Sequence, residues 1–159
     1  FRITLQSSVT DKFEQEPSAE FAAISAAVAD GTLPAYTNLE GFGDLLNVET
    51  TGTDRKDTLK INYRRGDWGA SLTTLRLGHL NDTGVRDDDG NPWKIPSMTT
   101  SNLSVYKNFN LSGNDARLRF MVRNISDERA PLADGFFGFY SDIHRDDGRH
   151  YYLDLKIDF

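Results

Sequence analysis

The chain has 159 residues, a one-domain length, with a net charge of -6 and a pI of about 5.0. That acidic balance argues against nucleic acid as a partner, and the absence of cysteine removes disulfides and thiolate chemistry. No apolar run is long enough for a transmembrane helix, but a mean hydropathy of -0.53 does not exclude a transmembrane β-barrel, whose strands are half polar.

The chain opens on FRITLQSSV, without Met, basic segment or signal peptide. Phe1, Ile3 and Leu5 alternate with Arg2, Thr4 and Gln6 and predict a strand over 1–9. A start inside a strand is expected of the C-terminal piece of a longer protein. PSAEFAAISAAVADG predicts one short helix, over about 18–30, inside a long loop. Ser18 follows Pro17 as the N-cap, Glu20 suits the positive helix end, and Gly31 suits the left-handed position after the last turn. Phe21, Ile24 and Val28 give it a narrow apolar stripe, bordered by Ser25.

A second strand is predicted over 57–65, where Leu59, Ile61 and Tyr63 oppose Lys60, Asn62 and Arg64. A third covers 67–79, with Trp68, Ala70 and Leu72 on one face; Leu75 and Leu77 then change parity, where a bulge would fit. LNDTGVRDDDGNPWKIP reads as a long polar loop. Its RDDDGN resembles part of a calcium loop, but Val85 and Pro96 stand at the first and twelfth positions of that register, so the bland reading of a solvated loop is preferred. The fourth strand, 98–109, has Leu103, Val105 and Phe109 on one face and Lys107 as the exception, near an end where it can snorkel. The fifth, 115–124, sets Leu118, Phe120 and Val122 against Arg117, Arg119 and Arg123. After the loop ISDERAPLADGFFGFYSDIHRDDG, the sixth, 148–159, sets Tyr151, Leu153, Leu155, Ile157 and Phe159 against His150, Tyr152, Asp154, Lys156 and Asp158.

The connections run long, short, long, short, long. Both short links, RRGDW and NLSGND, fall on one side, as the short turns of outer-membrane barrels do, and loops this long are uncommon inside compact soluble domains. Strands of this length suit a tilted membrane-spanning strand. In the fifth and sixth strands charges avoid the apolar parity almost entirely, where a mid-bilayer Lys or Arg would cost about 2–4 kcal/mol. Arg117, Arg119, Arg123, Asp154 and Lys156 are therefore expected to face a lumen, with opposite cross-strand charges contributing about 0.2–1 kcal/mol each. Alternation by itself also fits a soluble β-sandwich binding module, and another barrel such as a porin is a further alternative. Six strands cannot close a lumen, since the smallest common barrels have about eight, so the barrel reading requires further strands upstream.

The C-terminal third carries a more specific signal. Arg123, Asn124, Ile125, Asp127 and Pro131, followed by Gly148, Arg149, Tyr151, Leu153, Leu155 and a final Phe159, resemble the end of a TonB-dependent outer-membrane receptor. The resemblance extends over residues 57–159 and is weak over 1–56. It implies an all-β fold: about six antiparallel strands of a plugged transmembrane β-barrel of about 22 strands, with one short helix in an extracellular loop. It also implies uptake of a scarce, bulky nutrient, such as a siderophore, cobalamin or oligosaccharide, energised by TonB, ExbB and ExbD through a plug that this chain does not contain. Outer-membrane lipid, lipopolysaccharide and the barrel-assembly machinery are the other implied partners. Tyr151, Leu153, Leu155, Ile157 and Phe159 would form the terminal assembly signal.

His79, His144 and His150 have no ligand-like spacing, and no nucleophile–base pair, catalytic carboxylate pair or phosphate loop stands out, so neither a metal, a cofactor nor an enzymatic activity is expected. The aromatic residues Trp93, Phe136, Phe137, Phe139 and Tyr140 lie in the long loops and are the candidate ligand contacts, by stacking; packing of loop on loop is the plainer alternative.

Overall fold

The structure, a computed structural model, describes residues 1–12, 14–15, 19–32, 43–44, 47–48 and 51–158. In chain order the elements are β1 (Arg2–Val9), β2 (Glu14–Gln15), α1 (Ala19–Ala29), β3 (Gly43–Asp44), β4 (Arg55–Arg65), β5 (Trp68–Leu77), β6 (Leu80–Arg86), β7 (Pro92–Ile95), β8 (Met98–Leu111), β9 (Asn114–Arg123) and β10 (His150–Asp158). The fold is all-β and antiparallel. Six strands form one open sheet in the order β1-β4-β5-β8-β9-β10, so each long strand pairs with the next long strand in sequence. These are the six expected strands, shifted at their ends by one or two residues. The expected helix is α1, which ends where Gly31 takes a φ of 82°. Its Pro17–Ser18 cap and Phe159 lie outside the described residues, as do the side chains of Glu20, Phe21, Ser25 and Val28; Ile24 of the expected stripe is exposed.

Both tight turns are two-residue hairpin loops. Arg65 pairs with Trp68 across Gly66–Asp67, and Leu111 with Asn114 across Ser112–Gly113. Ser112 and Gly113 both have positive φ (52° and 93°), the type I′ pattern; Gly66 alone does in the first turn (55°), as a type II′ turn requires. Such turns match the right-handed twist of the strands and fix the register. The three long connections all leave from the opposite end of the sheet.

That register sorts the side chains into two faces. Ile3, Ile61, Leu72, Leu103, Val122 and Tyr151 stand opposite one another in an unbroken apolar row across all six strands. The neighbouring row is Tyr63, Ala70, Val105, Phe120 and Leu153. On the other face the matching rows read Arg2, Asn62, Ser71, Ser104, Met121, Tyr152 and then Arg64, Gly69, Tyr106, Arg119, Asp154. No bulge interrupts β5. Leu75 and Leu77 lie on the polar face because they stand at the loop end, where Leu77 pairs with the buried Met98.

Among the described residues, the fully buried side chains lie not on the sheet but in a cap at its loop end. Leu80 and Ile95 are both 0% exposed and pair with each other in the β6–β7 hairpin; Asp82 and His144 are 1% exposed. The segment read from sequence as a long polar loop is therefore this hairpin. Leu80 and Ile95 anchor it, and its RDDDGN end is a turn. There Asp87 Oδ1 accepts from the backbone N–H groups of Asp89 (3.0 Å) and Asn91 (2.8 Å).

Candidate functional site

Three features of this arrangement bear on function. The first is the apolar face. Leu5 and Leu153 are each 72% exposed, and Ile3, Trp68, Tyr151 and Leu155 are more than half exposed. No second layer packs on these rows among the described residues. A continuous apolar surface of this extent is unfavourable in water at roughly 25 cal/mol per Å² and marks a surface that something apolar covers. Aromatic side chains gather where this face meets the tight turns. Phe1 meets Tyr63 edge-on with ring centroids 6.3 Å apart, and Lys107 Nζ sits 5.2 Å from the centre of the Trp68 ring. Lys107 and Arg65 both stand directly opposite Trp68 at this turn end of the apolar face, and the Lys107 ammonium is held at the margin by that ring. Tyr151, Leu153, Leu155 and Ile157 all lie on this face of the edge strand β10.

The second feature is the polar face, which carries Arg117, Arg119, Arg123, Asp154 and Lys156 on one side of the sheet, as the alternation predicts. Of the expected cross-strand ion pairs, one forms: Arg119 to Asp154 at 3.3 Å. Arg117 stands opposite Lys156 instead. Its Nε donates to Asn108 Oδ1 at 2.7 Å and its guanidinium lies 4.6 Å from the centre of the Tyr106 ring. Lys156 turns along its own strand to Asp158, 2.7 Å away. Tyr106 reaches this position because it crosses Gly69, its opposite residue on β5. A Cβ built at Gly69 would fall inside the van der Waals envelope of the ring. A recess of about 610 Å³ opens on this face near the turns, and Arg2, Lys60, Arg64, Arg117, Arg119 and Tyr106 line it.

Charge is sorted along the molecule as well as across it. The long connections (10–54, 78–97 and 124–149) hold nineteen Asp and Glu against six Lys and Arg. The strands with their tight turns hold five against twelve. The chain is acidic overall only because its loops are.

The third feature is the loop cap. Asp82 fastens the last loop to the β6–β7 hairpin: its Oδ1 accepts from the N–H of Gly84 (3.0 Å) and Val85 (3.3 Å), its Oδ2 from the N–H of Asp134 (2.9 Å), and the Tyr140 hydroxyl also donates to it. Burial by itself would push this carboxyl up, but those donors outweigh it and hold the carboxyl below the usual carboxylate range. His144 is buried beside these segments with neither ring nitrogen bonded among the described residues, and burial pushes its pKa down. The loop base closes through the residues that carried the resemblance. Asn124 Nδ2 donates to Glu128 O and its Oδ1 accepts from Glu128 N, while Asp127 Oδ1 accepts from Arg149 N at 2.7 Å. Arg129 forks onto both oxygens of Asp146, and the Ala130 N–H adds a third bond; these, the guanidinium first, hold the Asp146 carboxyl down.

The aromatic candidates divide within this cap. Phe136 is 96% exposed and meets Phe137 edge-on at 4.9 Å, with Phe137 6.2 Å from Phe139. Tyr140 is committed to Asp82, and Trp93, partly exposed, stands opposite Asp82 in the hairpin. Sequence reading missed the Asp82 hub and buried His144, because a lone Asp and a lone His in polar loops carry no pattern. It also missed the Gly69–Tyr106–Arg117 stack, which the strand register would have exposed. Against family models, curated proteins and solved structures, the chain finds no match.

Proposed function

We propose that this chain is part of the wall of a transmembrane β-barrel in the bacterial outer membrane, in a transport receptor of the TonB-dependent kind. The observation that carries the proposal is the single-layered, two-faced sheet: an unbroken apolar surface with no second layer on it among the described residues on one side, and a charged surface on the other. Lipid covers the first and an aqueous lumen the second. The aromatic and Lys107 margin then lies at one membrane interface, and the tight turns point to the periplasm. The acidic cap stands outside, with Phe136 and Phe137 at its tip for ligand contact. Further strands close the barrel against the free edges of β1 and β10 to about 22, satisfying backbone groups that hydrocarbon cannot. Energy reaches the barrel from TonB, ExbB and ExbD through a plug, and the β10 face through Phe159 is read by the assembly machinery. The cargo is a scarce, bulky nutrient.

The face assignment is tested with tryptophan and brominated acyl chains. In a background where Trp68 and Trp93 are Phe, Leu153→Trp is expected to be quenched by lipid bromine and Tyr152→Trp, its neighbour, is not. Equal quenching at both positions, or full folding and solubility without detergent, would overturn the wall reading. Growth of a deletion strain on single iron and carbon sources, with and without TonB, then identifies the cargo class.

A further inference from the structure

We infer that the recess on the polar face is a binding site for a small multivalent anion, a solute carrying two or more carboxylate or phosphate groups. The register builds it. Arg2 stands opposite Asn62, so its diagonal neighbours on β4 are Lys60 and Arg64, roughly 7–8 Å away. Across β5, the row continues from Arg64 over Gly69 and Tyr106 to Arg119. Five cations thus surround one recess, and no acidic residue lines it among the described residues.

Their partners are unequal. Arg119 is neutralised by Asp154, and Arg117 is fixed in place by Asn108 and the Tyr106 ring while keeping its charge. Arg2, Lys60 and Arg64 form no ion pair among the described residues. Placing like charges on adjacent strands is destabilising. A multivalent anion relieves that repulsion at several points at once, which a monovalent one does not. The Tyr106–Arg117 stack supplies a rigid floor at little entropic cost. The acidic loops do not cancel this field. Arg64 lies nine residues from the loop end of β4, roughly 30 Å at about 3.4 Å per residue, which is several times the Debye length of about 8 Å at physiological salt.

The description of this face as a lumen rests on the wall reading; the recess itself rests on the register. The test titrates citrate, a tricarboxylate, and uncharged trimethyl citrate as the control into the full-length protein in detergent micelles, with calorimetric detection. Citrate is expected to bind and the ester is not. The double variant Lys60→Gln, Arg64→Gln should weaken citrate at least tenfold. Arg65→Gln removes the adjacent charge from the opposite face and should change it by less than about twofold. No citrate binding, or equal losses in the double variant and in Arg65→Gln, overturns the site. Bromine quenching at position 153 without citrate binding sinks this inference alone, whereas citrate binding that depends on Lys60 and Arg64 without quenching sinks the wall reading alone.

Discussion

Asn124 shows how much one side chain holds at the base of the last loop. It sits at a φ of 51°, in the left-handed region, and it bonds both the N–H and the C=O of Glu128. Asn is among the few residues that tolerate this backbone while offering a short amide to its neighbours. Two substitutions separate the two contributions. Asn124→Gly keeps the backbone and loses the bonds, at an expected cost of about 0.5–1.5 kcal/mol per bond, because Glu128 is exposed and water can replace its partner. Asn124→Ala loses the bonds and adds left-handed strain of roughly 1–2 kcal/mol. Hydrogen exchange of the Glu128 and Arg149 amides reads the local opening; both variants should speed it, Ala more than Gly. Equal exchange in the two would mean that backbone strain at this position is negligible. The motif residues were legible in the sequence as a motif, but their reason was not. Nothing in the string Arg-Asn-Ile-Ser-Asp says that Asp127 waits for the Arg149 N–H twenty-two residues on.

The elements divide between those with a period and those without. All six long strands were legible, because alternation over about ten residues is a strong signal and their two hairpin turns contain Gly. The β6–β7 hairpin was not, because its strands are short, lack a sustained alternation, and are anchored by single buried residues at Leu80 and Ile95. The cap built on it should be acid-sensitive, in two steps. Burial lowers the pKa of His144 in the closed cap, whereas in the opened loop it titrates near 6.5. The opened state therefore binds the proton first. The closed cap keeps its full stability above about pH 6.5 and loses up to about 1.4 kcal/mol per pH unit below it, until the folded imidazole also protonates. Asp82 has the same sign but a lower window: its contribution is present above the ordinary carboxylate pKa and is lost as the pH falls through its depressed value. Proteolysis within 132–142 should accelerate between pH 7.5 and 5.5 in the native protein, and His144→Leu should abolish that dependence while leaving the loss below about pH 4. An unchanged profile in His144→Leu would place the sensitivity elsewhere.

At the scale of the whole molecule, the sequence predicts two faces and three long loops at one end, and the register places them so. The net charge of -6 conceals a basic sheet under acidic loops, a sorting that shows once the charges are counted strand by strand and loop by loop. Sidedness also makes the same substitution cheap or costly according to parity alone. Phe120 lies in the middle of the apolar face and Tyr152 lies on the polar face of the adjacent strand, one row further toward the loops. In lipid, Phe120→Arg places a cation against hydrocarbon and should cost about 2–4 kcal/mol. Tyr152→Arg places the same cation two residues from Asp154 on a face already wet, and should cost less than about 1 kcal/mol, as an ordinary surface change does. Urea unfolding of the full-length protein in bilayers measures both. A soluble sheet covered by a protein partner behaves differently: in buffer without lipid, Phe120→Arg would then improve solubility of the free protein and abolish the partner contact. The order of the two costs in bilayers, with apolar parity the more expensive, is what a membrane wall requires, and the reverse order would remove lipid as the covering of this face.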